Sequence, residues 1–451
     1  MNSLDQYIDL FSHNKALLES HSCDVMNSLR SKALESLDTN GLPHKGAENY
    51  ETIDLDELLS PDFGVNLARI PIDANPSAAF RCGLPCLSNK PFFQINDIVQ
   101  SGIHNENHKG FWIGSINDFN VTHHDILKKY YGGIADITNP LVALDTLLSQ
   151  DGIVVYVEDD TEVNDPVQIV NILHNGMPLM AVRRLLLIIG DRARVRILAC
   201  DHSQHMTKYL ALQTTEIYVG KNASLDYYDL EESEENTVRL SSLYLRQEEG
   251  SEVVINGITL YNGITRNEYY TSFEGENSHL HLYGLGIEDR QRHLDVYSRI
   301  EHKVNCCVTD ELFKYSVDDS AVGSFAGLVK VVKGADKTEA YQSNRCIVGS
   351  DTARMYSKPQ LEIYDDDVKC SHGCAIGSLD EMQVFYLRSR GIPEAEAKFL
   401  LKQAFMADVI EAVRIPLLRD RLKLLVEKRF SGERIQCAGC GLSSSSCIDK
   451  G

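Results

Sequence analysis

From residue 152 onward the chain is a succession of short runs in which apolar and polar residues alternate. Residues 152–160 (GIVVYVEDD), 181–190 (AVRRLLLIIG), 193–200 (ARVRILAC), 214–220 (TTEIYVG), 224–230 (SLDYYDL), 252–261 (EVVINGITLY) and 279–285 (HLHLYGL) are rich in β-branched and aromatic residues, as strands are. Several follow similar polar turns, at Gly190, Gly220, Gly250 and Gly275. The first inward positions this predicts, Val195, Leu225, Val253 and Leu280, are 30, 28 and 27 residues apart. A period in that range, with no long helix between strands, predicts one strand-built coil per repeat, stacked as a parallel β-helix. A sandwich or barrel is the alternative that the pattern alone leaves open. The repeats continue through residues 294–300, 324–332 and 345–363.

The flanks read differently. Leu4, Tyr7, Ile8 and Phe11, then Val25, Met26, Leu29 and Leu34, recur at helical spacing. A loop follows at Gly41-Leu42-Pro43, ending in an acidic segment at 54–59, and residues 60–130 carry no clear period. Residues 139–148 read as a short helix. After Gly377 the pattern is helical again: residues 379–390, closed by Gly391, then a helix opened by Pro393 and a third opened by Pro416. The expected organisation is a helical or mixed region at 1–150, a β-helix core at 151–370, a helical region at 371–430 and a tail at 431–451.

Composition narrows the classes. With 44 basic and 65 acidic residues the formal charge is −21, so a nucleic-acid or anionic-membrane surface is not expected. The first residues show no apolar core of a secretory signal, and the longest apolar run, at 185–189, is far too short to cross a bilayer. Twelve cysteines in such a chain are expected to be reduced thiols in the cytoplasm.

Residues 359–391 are the most chemically loaded stretch. A strand carrying Leu361 and Ile363 leads through Asp365, Asp366 and Asp367 to Cys370, His372 and Cys374, with turns expected at Gly373 and Gly377. Ser378 and Glu381 have capping-box spacing for a following helix. If the strand runs through the motif, Cys370, His372 and Cys374 share one face; a turn at Gly373 would break that alternation. Imidazole and thiolate are metal ligands, so the stretch reads as a candidate metal site, and Asp366 or Asp367 is a candidate carboxylate to orient His372. Elsewhere, Cys82 and Cys86 form half a metal-ligand spacing without a second pair, and His123 and His124 stand beside a region holding the sole tryptophan, Trp112. Cys306, Cys307 and Cys346 are expected to pack within strands. Cys437, Cys440 and Cys447 have a metal-ligand spacing in a Gly/Ser-rich tail; three thiols do not close a tetrahedral site, so metal binding with a partner's ligand, sulfur relay and a neutral extension all stand.

The run KPQLEIYDDDVKCSHG (358–373) followed by FYLRSRGI (385–392) resembles the SufB/SufD family of the SUF iron–sulfur cluster assembly system. Gly41-Leu42-Pro43, NPLVALDTLLSQDGIVVYV (139–157) and HLDVYSRIEH (293–302) extend the resemblance over nearly the whole chain. The Cys-Ser-His-Gly run places it on the SufD side, since the SufB motif lacks it at this point. The resemblance implies a mainly β fold with α caps, a right-handed parallel β-helix between N- and C-terminal helical regions. It implies pairing with SufB through the β-helix and C-terminal region, and docking of the ATPase SufC on the C-terminal helices. The chain itself has no G-x-x-x-x-G-K-[ST] phosphate loop.

The resemblance further implies that His372 takes part in building a nascent iron–sulfur cluster at a site shared with SufB; the bland alternative is a buried histidine bonded to backbone. Cys370 matches the family's cysteine, as iron or sulfur ligand or as a packed thiol. Cys374 stands where the family has a small non-thiol residue, and either extends the ligand set or is neutral. Flavin is linked to complexes of this family, but no flavin fingerprint occurs here. The expectation is a non-catalytic scaffold subunit holding iron or a transient cluster with its partner. A self-associating homodimeric scaffold is the alternative, and a polysaccharide-acting β-helix enzyme a remote one, because the clustered acids at 231–235 and 365–367 read as loops.

Overall fold

The computed structural model describes residues 3–71, 91–100, 110–203 and 207–432. Its centre is a parallel β-solenoid of about eight coils, each laying one strand in each of two ten-stranded sheets. In the first sheet the coils stack as Ile153–Val157, Leu179–Ile189, Tyr209–Val219, Thr237–Gln247, Ile264–Phe273, His293–His302, Val322–Val331 and Arg354–Ile363. In the second they stack as Val167–Leu173, Arg194–Ser203, Ser224–Glu232, Glu252–Tyr261, His279–Glu288, Val308–Val317, Glu339–Val348 and Lys369–Gly377. The expected inward residues are in direct register: Val195, Leu225, Val253 and Leu280 form one column, which continues through Thr309 and Ala340 to Cys370. Such columns fill the interior with Val, Ile, Leu, Phe and Tyr. Each fully buried aliphatic side chain contributes about 2 kcal/mol.

The outer face of each sheet is also covered, which is why runs such as Leu185–Ile189 read as continuously apolar rather than alternating. On the first sheet, α1 (Ser3–Ser20), α2 (Asp24–Asn40), α3 (Leu55–Leu59) and α5 (Pro140–Leu148) bury Val182, Leu212 and Leu240. The acidic segment at 54–59 is thus a short helix, α3, capped by the Asp54 side chain, which accepts from the Glu57 N–H. Within the stretch lacking a clear period, Phe111–Ser115 is a strand antiparallel to Ile153–Val157, and Ile116–Tyr130 is α4, capped by Ser115. On the second sheet, α7 (Glu394–Glu411) and α8 (Pro416–Ser431) cover Leu198, Tyr228, Leu230, Ile258, Leu260 and Leu285. Buried Lys314 ties α7 to the sixth coil by donating to the Phe405 carbonyl (2.6 Å) and pairing with Asp408 (2.5 Å). Among the described residues no helix is long and apolar enough to cross a membrane.

Four sequence expectations change at the level of local structure. The last strand runs to Gly377, past the boundary expected at 370, and α6 (Glu381–Ser389) is capped by Asp380, which accepts from the Met382 N–H at 2.8 Å, rather than by a Ser378–Glu381 box. Glu231 and Glu232 belong to a strand, not a loop. The interior accommodates Glu231 because Thr265 and Ser233 donate to its carboxylate, and burial pushes its pKa up to about 7. Cys306 and Cys307 precede the strand Val308–Val317 instead of lying within it.

The reason for that last difference is a ladder of turns. Asp160, Arg192, Asn222, Gly250, Asn277, Cys306 and Lys337 all have positive φ, and each N–H bonds to a carbonyl of the next coil. The period therefore fixes a left-handed residue at Cys306 (φ 59°), a conformation that Gly and Asn adopt readily and β-branched residues do not. Cys306→Gly or Cys306→Asn is expected to leave thermal unfolding unchanged or slightly raised, whereas Cys306→Val is expected to cost about 1–2 kcal/mol.

One section of the interior is ionic. The Arg239 guanidinium pairs with Asp229 (2.6 Å) and Asp201 (3.0 Å) and donates to Asn267 (2.8 Å), and Arg183 closes on Asp201 at 2.6 Å. All four charged side chains are more than nine-tenths buried.

Candidate functional site

The two ends of the solenoid are finished differently. At the N-terminal end the sheets are closed by the antiparallel strand Phe111–Ser115 and by Phe92–Ile95, which turns back into Ile98–Val99. At the other end, Arg354–Ile363 and Lys369–Gly377 are edge strands on which no described residue adds a further coil. Their inward positions are consequently open: Ile363 and Ile376, which continue columns that are buried one coil below, are 41% and 46% exposed.

Cys370, His372 and Cys374 lie on this open coil. The strand passes straight through Gly373, which pairs with Ser343, so the alternation is unbroken and the three side chains share the inward face. They stand above Ala340, Gln342 and Asn344 respectively. Cys370 is half-buried against the end of the hydrophobic file; burial pushes its thiol up, partly offset by the Ala340 backbone. Cys374 and His372 are exposed. Cys346, one coil below, packs as expected of a small hydrophobe: it is buried, and burial and then the nearby Cys374 push its thiol well above the usual range.

Consecutive members of the triplet are about 7 Å apart along the strand. Among the described residues no group of three or more His, Cys, Asp or Glu side chains is placed to hold a metal ion. The donor set, two thiols and an imidazole on an open edge strand, is of a kind that suits iron but is incomplete among the described residues.

Asp366 and Asp367 do not orient His372. They lie in the turn before the strand, and Asp367 is separated from His372 by about 16 Å of extended chain; its carbonyl accepts from the Lys337 N–H at 2.6 Å. Asp365 also serves the turn, accepting from the Gly334 N–H at 2.8 Å, and backbone N–H groups hold its pKa below the usual value. The group actually beneath His372 is Gln342, which donates to Glu311. Neither was a candidate from sequence. The signal that finds them is the coil period, since Gln342 precedes His372 by 30 residues and Glu311 precedes Gln342 by 31.

His123 stacks on Phe119 within α4 (4.5 Å, 8° between planes) and meets Tyr156 of the first coil edge-on at 5.6 Å, while His124 pairs with Asp24 of α2 at 3.0 Å, so the two fasten α4 to its neighbours. Cys82, Cys86, Cys437, Cys440 and Cys447 lie outside the described residues.

Comparison with known proteins agrees with this architecture. Residues 172–405 match the family model described as "SUF system FeS cluster assembly, SufBD core domain", and residues 1–169 match the "SufBD protein N-terminal region". An iron-sulfur cluster assembly SufBD family protein of Synechocystis is 28% identical over 426 residues, covering 92% of this chain and 93% of that protein. The iron-sulfur cluster assembly protein SufD of Bacillus subtilis is 26% identical over 68% of this chain and 71% of its own length. The SufD protein of Escherichia coli is 36% identical over 173 residues, 38% of this chain and 41% of that one. A coiled β core between two helical covers, carrying the Cys-Ser-His-Gly run on its last strand, therefore belongs to the SufBD family of the SUF iron–sulfur cluster assembly system.

Proposed function

We propose that the chain is a non-catalytic scaffold subunit whose open last coil seats on a SufB-type chain and contributes half of a shared assembly site. Cys370 and His372 are its donors to iron, with Cys374 a lesser contributor. The observation that carries this is the uncovered edge itself. A bare edge strand invites pairing with another chain, and here the invitation coincides with the only side of the motif where soft donors are presented. Cargo assembled between two chains would be completed by the partner's ligands and shielded from water once the edges meet. ATP hydrolysis falls to a SufC-type partner. The C-terminal helices carry exposed Met382, Phe385, Tyr386, Leu400 and Leu417, apolar side chains suited to a docking surface for it.

Anaerobic reconstitution of the complex with SufB and SufC tests the reading. His372→Ala is expected to reduce cluster absorbance at least about tenfold, and undiminished cluster formation would sink the role given to this histidine. Ile376→Lys places a charge on the edge and is expected to abolish capture of SufB. Mass measurement of the chain alone and with SufB decides between the heteromeric scaffold and a homodimer.

A further inference from the structure

We propose that Gln342, held by Glu311, is the positioning residue for His372, fixing which ring nitrogen carries the proton and which is presented at the open edge. This rests on the reading of His372 as a donor to the assembly site.

The three side chains occupy one inward column, in register through Glu311, Gln342 and His372. Adjacent strands are about 4.8 Å apart, so Gln342 is the immediate neighbour below the imidazole. Its amide is already oriented. Nε2 donates to Glu311 Oε2 at 2.6 Å, and the other carboxylate oxygen accepts from Ser298 Oγ at 2.5 Å. With the nitrogen committed to the coil below, Oε1 is left as the acceptor for the coil above. That oxygen is buried and has no hydrogen-bond partner, in a side chain only 3% exposed. A buried amide carbonyl without a donor is uncommon and calls for an explanation. The next side chain in its column is an imidazole, which makes no hydrogen bond of its own among the described residues.

The facing sheet is shaped for the same amide. A Cβ at Gly327 would come within 2.3 Å of Gln342 Nε2 and 3.0 Å of its Cδ, so glycine at that position leaves the space the amide fills. A histidine that binds metal through one nitrogen commonly donates its other N–H to a carbonyl, which fixes the tautomer and the ring plane. Gln342 Oε1 supplies that carbonyl, directing the remaining nitrogen's lone pair toward the cargo.

The test uses the full-length chain, free of iron, with ring-15N histidine. His372 is assigned by the resonances missing in His372→Ala. The wild type is expected to show one dominant tautomer at pH 8. Gln342→Leu is expected to lose that dominance, with the two ring-nitrogen shifts moving toward each other. Gly327→Ala, which displaces the amide without removing it, is expected to do the same and covers the case in which Gln342→Leu does not fold. The double exchange Gln342→Glu with Glu311→Gln, which reverses amide and carboxyl in the column, is expected to restore the single tautomer. Iron(II) affinity of the complex with SufB is expected to fall about 10–100-fold in Gln342→Leu. Unchanged His372 resonances in folded Gln342→Leu would overturn the proposal whatever the cluster chemistry. Altered resonances together with normal cluster formation in His372→Ala would leave the positioning standing and defeat the assembly role instead.

Discussion

Arg239→Leu is expected to lower the stability of the chain by about 3–5 kcal/mol, the usual loss when one partner of a buried ionic group is removed. The guanidinium sits between Asp201 and Asp229 inside the solenoid, at 3.0 and 2.6 Å. Its removal leaves Arg183 to serve Asp201 and nothing charged to serve Asp229, so two carboxylates face each other in a dry interior. The price is set by the orphaned acids rather than by the lost attraction. Arg239→Leu combined with Asp229→Asn is therefore expected to recover most of the loss, because it removes the carboxylate left without a partner while Arg183 and Asp201 stay paired at 2.6 Å. Urea unfolding followed by far-UV circular dichroism reads the whole stack, and fluorescence of the sole tryptophan, Trp112, reads the N-terminal closure. A loss below about 1 kcal/mol for the single variant would show that water reaches the network.

The second large effect is a dependence on pH that runs opposite to ordinary acid denaturation. Glu311 is fully buried against neutral Ser298 and Gln342, and burial pushes its pKa up to about 7. The folded chain therefore holds this proton more tightly than the unfolded chain does. Between the unfolded value near 4.5 and the folded value near 7, folding takes up a proton, so stability falls as pH rises through that window and stays low above it. The contribution is of the order of 3 kcal/mol. Glu231, raised to about 7, and Asp145 and Glu288, each raised to about 8 by burial, act in the same direction. Glu311→Gln keeps both hydrogen-bond partners without the ionisable group. It is expected to raise the urea midpoint at pH 8 and leave it little changed at pH 5. Equal shifts at the two pH values would refute the assignment.

The solenoid was legible because its period repeats in both the turns and the columns. Val195, Leu225, Val253 and Leu280 could be aligned by counting, and the structure stacks them directly. What the residues could not reveal is which polar side chains face inward. Asp229 and Glu231 share the parity of inward Leu225, and Arg239 that of inward Leu243, but charged side chains are ordinarily assigned to solvent, and only their partners inside the coil explain them. Gln342 was hidden for the same reason, although the period places it under His372. The helix α4 escaped notice because non-helical backbone at His123 (φ −135°, ψ 39°) interrupts it and breaks its apolar period. Cys306 was misread as a strand residue because its side chain suits packing, while its backbone is dictated by the turn ladder. The motif itself was placed on one face by alternation, and the structure settles that Gly373 does not interrupt it.

The helical covers grip only part of the stack. Contacts from α7 and α8 extend from Leu198 to Lys314 and on to Asp318, which takes the Lys402 ammonium at 2.9 Å, and the N-terminal region bonds to Glu268 and Asp295; beyond these, exposed Glu51 reaches Lys358 of the last coil. Mechanically this is a beam clamped along most of its length with a short free tip. Parallel hydrogen-bonded coils resist bending, so a torque delivered to α7 and α8 turns the beam as a whole. Cys370 and His372 ride on the tip and move together, keeping their mutual spacing while their distance to anything opposite them changes.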